Sequence, residues 1–379
     1  MIQLSVKHAA GTDRALWDGF VQGKETASLY HRFGWGNVIH ATYGHSTYYL
    51  MLVAHEAEAG GAAPGNEAGA TAGESVLGVL PVVHLKHPIF GNSLVSLPFL
   101  DGGGILADNT AAEERLLAEV IALGQTMGVR TIELRHEHPG NVSDLGALRS
   151  SSLHPPLRTA MRSDKVRMLL TLPGSAAELV KSFKSKLRSQ VNKTLQAGFS
   201  FRTGGLELLG DFYQVFLVNM RDLGSPVHSV KLMHNALAEF AEHARVFVVY
   251  RSTEPVAAAL AVGSGNVLRN PWASSLRKYA SQGPNMLLYL RMLEYACDRG
   301  YRVFDFGRSS PGEGTYRFKE QWGAVPAPLF WQYISLDGTM PDPDGLGKAR
   351  FAAATRIWRK LPLSMTRILG PRIRKHISL

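Results

Sequence analysis

Residues 303–324 read VFDFGRSSPGEGTYRFKEQWGA, and they decide where this chain places its chemistry. The apolar run from Val303 to Phe306 predicts a buried strand, and a Gly- and Ser-rich loop follows it directly. Glycines let backbone N–H groups approach a ligand closely, while arginine and lysine side chains supply charge for a phosphate or carboxylate. Because α/β folds usually bind ligands at the carboxyl ends of strands, we expect the centre of the active site in this loop.

The strand belongs to a unit that the chain contains twice. A helical pattern over 112–127 ends at Gly128 and precedes VRTIELRH, and a second over 285–299 ends at Gly300 and precedes YRVFDFGR. Both glycines suit a left-handed helix C-cap. The offset of 172 residues pairs Glu133 with Asp305 and His136 with Arg308. The spacing therefore predicts a duplicated strand–strand–helix–strand unit.

Length and composition predict two domains and a tail. A chain of 379 residues can form two compact cores. The first domain is predicted over 1–155, with a flexible Ala/Gly loop at 57–73, and the second over 156–340. The sequence SSSLHPP marks the boundary near Ser150–Pro156, and Met161–Leu172 is predicted to be a strand entering the second sheet. A basic amphipathic tail occupies 341–379.

Positive charge is concentrated in this tail. The net charge is +10, yet nine Lys and Arg residues and no Asp or Glu follow Asp344, so the remainder carries 32 basic and 31 acidic residues. A nearly neutral body argues against nucleic acid as the main partner. Apolar residues alternate with the basic ones, a mixture that suits a helix on an anionic membrane surface. A terminal helix docked on the body with solvated charges explains the pattern equally well.

Cysteine usage and the absence of a signal-peptide pattern predict a cytoplasmic protein, peripheral at the inner face of the membrane if the tail binds lipid. The chain has a single cysteine, Cys297, which is predicted to be buried packing. His136, Glu137 and His138 are adjacent and could contribute to a metal site, but the sequence offers no further ligand beside them. They are therefore predicted to form a surface cluster. No metal is expected.

The chain resembles the Fem-like N-acyltransferases, particularly the group associated with exosortase (PEP-CTERM) and exopolysaccharide systems. The resemblance covers roughly residues 165–335. Relatives of this family include aminoacyltransferases that build peptidoglycan bridges. It implies a mixed α+β fold of two tandem GNAT-like domains. The stretches that carry it are FDFGR (304–308), GTYRFKEQWGA (314–324), KLRSQVNKTLQAGF (186–199), FYQVFLVNMRDLGSPV (212–227), PWASSLRKY (271–279) and PNMLLY (284–289).

Residue roles follow from the resemblance and from the loop. Lys319 is expected to stabilise negative charge, Asp305 to accept a proton or orient the amine, and Tyr316 to donate to the leaving group. Several candidates also have a structural alternative: a solvated face for Arg188, a mutual ion pair or a helix cap for Arg221 and Asp222, core packing for Trp272, a helix cap for Asn285 and a structural carboxylate at the strand end for Asp305. The residues predicted to bind substrate are Arg188, Asn219, Arg221, Asp222, Trp272, Asn285, Arg308, Ser309, Gly314, Thr315 and Trp322.

The resemblance implies transfer of an acyl or aminoacyl group to an amine of a cell-envelope or exopolysaccharide precursor, carried on a nucleotide or lipid. The donor is acyl-CoA or aminoacyl-tRNA, and the sequence leaves this choice open. An acetyl-CoA signature is missing, because RKYASQGPN (277–285) has one glycine where a pyrophosphate loop needs more. The alternative is a non-catalytic GNAT-like scaffold that docks on membrane polysaccharide-biosynthesis partners.

Overall fold

The computed structural model describes residues 2–56, 74–139, 157–339 and 348–378 and shows a mixed α+β fold. The chain divides into two compact units. The first comprises Met1–His40, His45–Arg162 and Phe330–Pro341, and the second comprises Ala41–Gly44, Ser163–Leu329 and Asp342–Leu379. The predicted loop at 57–73 and the predicted boundary near 150–156 lie outside the described residues.

The first unit is built on an eight-stranded sheet. Numbered in chain order, the strands are β1 (Ile2–His8), β2 (Thr47–Glu56), β3 (Glu74–His87), β4 (Gly91–Val95), β5 (Leu106–Ala107), β6 (Thr131–His136), β7 (Arg158–Arg162) and β15 (Phe330–Ser335). The main path through the sheet runs β1-β2-β3-β4-β6-β15-β7, with β5 paired to β3. Among the described strands of this sheet, only β4 and β6 pair in parallel. The helices in this part of the chain are α1 (Arg14–Gln22), α2 (Gly34–Tyr43) and α3 (Thr110–Thr126), with 3-10 turns at Gly11–Asp13 and Leu29–His31.

The second unit is built on a seven-stranded sheet with the order β14-β8-β13-β12-β11-β10-β9. The strands are β8 (Val166–Thr171), β9 (Phe199–Gly204), β10 (Ala244–Arg251), β11 (Glu254–Ser264), β12 (Val267–Ser275), β13 (Val303–Ser309) and β14 (Val325–Pro328). The helices are α4 (Ala176–Ser182), α5 (Ser185–Leu195), α6 (Leu209–Leu223), α7 (Val230–Glu239), α8 (Pro284–Asp298), α9 (Gly314–Glu320), α10 (Lys348–Trp358) and α11 (Leu363–Arg374), with 3-10 turns at Leu206–Leu208 and Arg277–Gln282.

Helices cover the central strands of the second sheet. Residues 255–263 of β11 are all buried, a pattern that requires both faces of the sheet to be covered. Alternate residues Ala257, Ala259 and Ala261 share one core cluster with Leu288 and Met292 of α8. Their small side chains allow that helix to pack closely, and α6 also contacts β10, β11 and β12. The fully buried strand β11 is separated from β13, whose end carries the predicted site, by β12 alone.

The internal repeat predicted from the sequence recurs in the hydrogen bonds of both units. After α3 and after α8, a glycine with positive φ ends the helix, Gly128 at 62° and Gly300 at 76°. The amide that follows each glycine donates back over five residues, from Val129 to Gly124 and from Tyr301 to Ala296. In both units the backbone then enters a strand that pairs in parallel with an earlier strand, β6 with β4 and β13 with β12. The two units thus share one core arrangement at the 172-residue offset.

The units differ from the predicted domain boundaries at two places. Arg158–Arg162 (β7) and Phe330–Ser335 (β15) are predicted to lie in the second domain, but both strands belong to the first sheet. There β15 lies antiparallel to the central strand β6, and β7 lies beyond it. The predicted strand over Met161–Leu172 is therefore divided between sheets, with β7 ending at Arg162 in one and β8 beginning at Val166 in the other.

The capping-box pair Ser175 and Glu178 and the terminating Gly198 predict one basic helix, but the structure has two helices over this stretch. Ser175 caps the first by accepting a hydrogen bond from the backbone N–H of Glu178, as the sequence predicts. Phe183 and Lys184 then take extended backbone angles, and α5 starts at Ser185. The Arg188 guanidinium donates to the carbonyls of Lys181 at 3.2 Å and Phe183 at 3.0 Å. Arg188 therefore closes the end of α4 and stabilises the break.

The described part of the tail packs on the second unit. Helix α11 contacts α6, and Gly370 lies so close to Val227 that a Cβ would come within 2.8 Å of its Cγ1. The Arg374 side chain donates from Nε to His228 Nε2 at 3.0 Å, and an Arg359 amino group donates to the Leu223 carbonyl at 3.2 Å. Across the described residues, no helix has the length and apolar character needed to cross a membrane.

We expect acid to release α11. Burial, with Arg374 beside it, holds the pKa of His228 well below the ordinary histidine value of about 6.5. The ring also contacts the hydroxyl of Tyr43, which belongs to the same unit. A docked, neutral ring binds fewer protons than a released one, so docking is complete above about pH 6.5 and weakens as the pH falls below it.

Hydrogen exchange of residues 363–374 between pH 7.5 and 5.5, corrected for intrinsic rates, measures this release. Each pH unit below about 6.5 is expected to cost up to about 1.4 kcal/mol of docking free energy, a tenfold loss of protection. The control is His234→Gln, because His234 is exposed on α7 and its loss should leave the pH dependence unchanged. Protection that stays constant over this pH range would contradict the prediction.

Candidate active site

The site forms where two parallel strands of the second unit separate. Pairing between β12 and β13 covers three positions and ends with Arg269 opposite Asp305. Beyond this point β12 continues to Ser275 alongside β11 only, while β13 shifts register and pairs with β8 up to Ser309. Parallel strands that part in the middle of a sheet leave their backbone and side chains accessible to a ligand between them. The polar loop predicted as the site follows directly from β13.

Lys319 fixes this end of β13. Its side chain is 7% exposed, and Nζ donates to the carbonyls of Gly307 at 3.0 Å and Arg308 at 2.8 Å. Gly307 has φ of 75° and lies close to the carbonyl oxygen of Asn270, which a Cβ would approach to 3.2 Å. This residue must therefore be glycine for the backbone to turn here. The result is a lysine side chain fixed beside the diverging strands.

Asp305 supports the same turn from within the sheet. Its side chain is buried, with Oδ1 accepting from the Gly307 backbone N–H at 2.8 Å. Oδ2 lies 3.2 Å from Arg269 Nε and 3.6 Å from an amino group of Arg167. A carboxylate that is 0% exposed and surrounded by these guanidinium groups is poorly placed to meet an acceptor amine. The geometry favours a supporting role over the predicted proton transfer.

Two buried polar atoms at the divergence lack a partner among the described residues. Asn270 follows the last paired residue of β12, and its Oδ1 accepts no hydrogen bond, although its Nδ2 donates to Tyr289 Oη at 3.2 Å. Ser309 ends β13, and its Oγ is likewise unpartnered. Both residues are 4% exposed. Since buried polar atoms are nearly always paired with protein, water or ligand, these two mark places for a ligand's own donors and acceptors.

The loop beyond Ser309 forms the exposed side of the site. Ser310 accepts a hydrogen bond from Lys165 Nζ at 2.7 Å, which fixes the first turn of the loop. Gly314 and Thr315 begin α9 and are exposed, whereas Arg308 and Tyr316 are half-buried. The structure therefore brings the predicted residues of this loop together with Lys319. Because Thr315 is exposed and Arg308 is half-buried, both can contact an anionic substrate group.

Both tryptophans predicted to bind substrate are buried. Trp322 is 3% exposed and packs edge-on against Phe183 and Phe318 in the core cluster. Trp272 on β12 is 6% exposed. Burial of these large rings favours core packing for both residues. The contact of Trp322 with substrate stays a prediction, because its Nε1 also has no hydrogen-bond partner among the described residues.

The remaining candidates lie on α6 and α8 and serve packing or pairing. Asn219 donates from Nδ2 to Ser274 Oγ at 3.0 Å and so ties α6 to β12. The guanidinium of Arg221 contacts Asp222 Oδ1 at 3.0 Å and 2.7 Å, the mutual pair that the sequence left open. Asn285 is half-buried in the first turn of α8. Of this group, Asn219 is the residue whose side chain contacts the diverging strand β12.

The segment before α8 forms a closed turn. Residues 277–282 make a 3-10 helix, and Gly283 follows with φ of 73°. The backbone N–H groups of Tyr279, Gly283 and Met286 all donate to carbonyls within the segment. A Cβ on Gly283 would come within 2.9 Å of Thr194 Oγ1 on α5. These three amides are therefore not available to a pyrophosphate.

In the first unit, the chain itself occupies the corresponding position. Beyond β4 the backbone N–H of Ser96 donates to the Glu133 carbonyl, and that of Gly104 donates to the Arg135 carbonyl, both at 2.8 Å. His136 and Glu137 are each 6% exposed, so the predicted surface cluster is wrong for these two residues. Burial lowers the pKa of His136 to about 4. In the described ranges, no group of three His, Cys, Asp or Glu residues is arranged to hold a metal ion.

Comparisons with known proteins bear on the fold and on the second unit. Residues 181–320 match the family model of an acetyltransferase (GNAT) domain. The structure is similar to that of FemX, with a TM-score of 0.62 and 15% identity over 86% of this chain and 96% of that one. It is also similar to a conserved protein of unknown function from Bacteroides thetaiotaomicron, with a TM-score of 0.53 and 9% identity over 88% of this chain and 100% of that one. A search of curated proteins finds no match. Residues 181–320 of the second unit are thus similar to a GNAT acetyltransferase domain, and the fold is like that of FemX.

Proposed function

We propose that this protein is a Fem-like N-acyltransferase that modifies an amine of a cell-envelope or exopolysaccharide precursor. The observation that carries the proposal is the divergence of β12 and β13, where Asn270 Oδ1 and Ser309 Oγ are buried without partners beside the fixed charge of Lys319. The GNAT match covers all of these residues. A scaffold has no need for such atoms, since each buried unpartnered group lowers stability.

In the proposed reaction, the amine nitrogen of the acceptor attacks the carbonyl carbon of a thioester or ester. A C–N bond forms as the C–S or C–O bond breaks, and the leaving group takes up the proton that the amine releases. Lys319 stabilises the charge that develops on the carbonyl oxygen, and Ser309 Oγ donates a hydrogen bond to that oxygen. Asn270 Oδ1 accepts from the acceptor N–H and orients it. Proton donation by Tyr316 stays a prediction.

The donor is the second part of the proposal. A GNAT fold implies acyl-CoA in general, but residues 277–285 contain a single glycine, and the amides of Tyr279, Gly283 and Met286 donate within their own turn where a CoA pyrophosphate needs donors. This favours an aminoacyl ester, as on aminoacyl-tRNA, over acetyl-CoA. The exposed basic residues Lys186 and Lys193 on α5 supply charge for a tRNA backbone.

Calorimetry with the full chain tests the donor and the site together. Acetyl-CoA, a long-chain acyl-CoA and an aminoacyl-tRNA are titrated in turn, and we expect micromolar binding of the last and no saturable binding of acetyl-CoA. With the donor that binds, Ser309→Ala should slow aminoacyl transfer to an amino-sugar or peptide acceptor about 100-fold, the usual effect of losing one oxyanion donor. The matched control is Ser189→Ala, on the exposed face of α5.

The outcome also decides between enzyme and scaffold. If no donor binds, the non-catalytic alternative gains, in which the closed donor turn reflects lost catalysis and the protein docks on polysaccharide-biosynthesis partners. If acetyl-CoA binds at micromolar concentration, the acyltransferase stands but the preference for an aminoacyl ester is wrong. If Ser309→Ala and Ser189→Ala transfer at the same rate, the assignment of Ser309 is wrong.

A further inference from the structure

Three large apolar side chains are exposed on the two tail helices, Ile357, Met365 and Ile368, and they are together called the apolar stripe. Thr366 and Gly370 of α11 are buried in the contact with the body, and Met365 and Ile368 lie on the other side of that helix. On that side Ile368 is 57% exposed and Met365 is 44% exposed, and on α10 Ile357 is 63% exposed. Large apolar side chains this exposed, three within twelve residues, exceed the scattered few of an ordinary surface.

Basic side chains surround the stripe and no acidic ones accompany it. The two acidic residues of the tail, Asp342 and Asp344, both precede α10, so neither tail helix contains an acidic residue. The nearest acidic residue on the contacted end of α6 is Asp222, which is paired with Arg221. The exposed basic residues in the described part of the tail are Arg356 on α10, Arg359 and Lys360 in the turn after it, and Arg367 and Arg372 on α11.

We propose that this surface, Ile357, Met365 and Ile368 with the basic residues around them, docks the protein on an anionic lipid bilayer. The apolar side chains enter the boundary between headgroups and acyl chains, and the arginines and lysine contact lipid phosphates. The helices lie flat on the membrane because their inner side remains packed on the body. This inference is independent of the acyl-transfer proposal.

The apolar stripe favours a bilayer over RNA. An RNA-binding surface uses basic residues with exposed aromatic rings for stacking, and aliphatic side chains contribute little there. The tail's Trp358 is only 9% exposed, so it offers no stacking platform. Charge alone would suit either polyanion, but Ile357 and Ile368 gain free energy only where a hydrocarbon phase accepts them.

Vesicle sedimentation of the full chain tests the docking. The vesicles are phosphatidylcholine alone or phosphatidylcholine mixed with phosphatidylglycerol, and only the mixed vesicles should pellet the protein. A charge variant, Arg356→Gln/Lys360→Gln/Arg372→Gln, should bind about 100-fold more weakly, since each basic residue near an anionic surface contributes about a factor of five. An apolar variant, Ile357→Ser/Ile368→Ser, should bind at least tenfold more weakly.

Matched controls remove the same groups elsewhere. Lys86→Gln/Arg115→Gln/Arg130→Gln lowers the net charge equally at exposed sites, and Ile89→Ser removes an isoleucine that is 78% exposed. Both controls should bind mixed vesicles like the unchanged protein. Equal pelleting with neutral vesicles, or equal loss in the charge control, overturns the proposal. So does tight binding of bulk tRNA that the charge variant loses and the apolar variant keeps, because the surface then binds RNA.

Discussion

Replacement of Lys319 by alanine is expected to reduce turnover about 100- to 1000-fold. The ammonium group is the one buried cation that we assign to the reacting carbonyl, and losing a single preorganised oxyanion contact typically costs this much. It also holds the carbonyls of Gly307 and Arg308, which the variant leaves without this donor. The turn at Gly307 should therefore loosen, with a loss of about 1–3 kcal/mol in the free energy of unfolding.

The measurement is single-turnover transfer with saturating donor, normalised to folded protein by circular dichroism. Arg317→Ala is the matched control, because Arg317 lies on the same helix but is exposed, and it should keep both turnover and stability within about twofold and about 0.5 kcal/mol. If Lys319→Ala loses stability yet transfers normally per folded molecule, Lys319 anchors the loop without stabilising the transition state.

Local patterns in the sequence sufficed for the elements around the site. The run from Val303 is a strand to Ser309, and the helix predicted over 285–299 runs over Pro284–Asp298. The positive φ of Gly128 and Gly300 explains why the repeat could be found by spacing alone. In each case the signal is local, because a C-cap glycine and an apolar run act through neighbours in the chain.

The choice of sheet could not be predicted. The sequences of β7 and β15 show the alternating or apolar pattern of side chains that is typical of strands. Such a pattern does not specify a partner strand more than a hundred residues away. The break at Phe183 was missed for a related reason. Apolar spacing continues across it, and only the contact of Arg188 with the carbonyls of Lys181 and Phe183 shows where α4 ends.

Part of the candidate site could be proposed from the sequence and part could not. Lys319, Arg308 and Ser309 were predicted because the loop is dense in polar residues, whereas Asn270 was not predicted because it lies in a strand. A signal was available, since Arg269 and Asn270 interrupt an otherwise apolar strand, VLRNPWASS. Buried polar residues are costly unless paired, so such an interruption indicates a function or an internal pair. Here Arg269 pairs with Asp305, and Asn270 Oδ1 remains for a ligand.

Replacement of Asp305 by alanine is expected to lower the free energy of unfolding by about 3–5 kcal/mol. The carboxylate lies between Arg167 and Arg269 in the interior of the sheet, and removing one member of a buried charge group leaves the others poorly compensated. The variant also loses the hydrogen bond to the Gly307 N–H. Urea unfolding measures the effect, and Glu254→Gln is the control because its contact with Lys278 is exposed and should contribute less than about 1 kcal/mol.

Asp305→Asn separates the supporting role from proton transfer. The amide keeps an oxygen for the Gly307 N–H but loses the charge that balances the two arginines, so stability should fall while the remaining folded protein transfers at nearly the normal rate. A catalytic base would behave in the opposite way, with stability retained and turnover lost by 100-fold or more. That second result would show that substrate reaches a side chain that is fully buried in the structure, and it would require the strands β12 and β13 to open during the reaction.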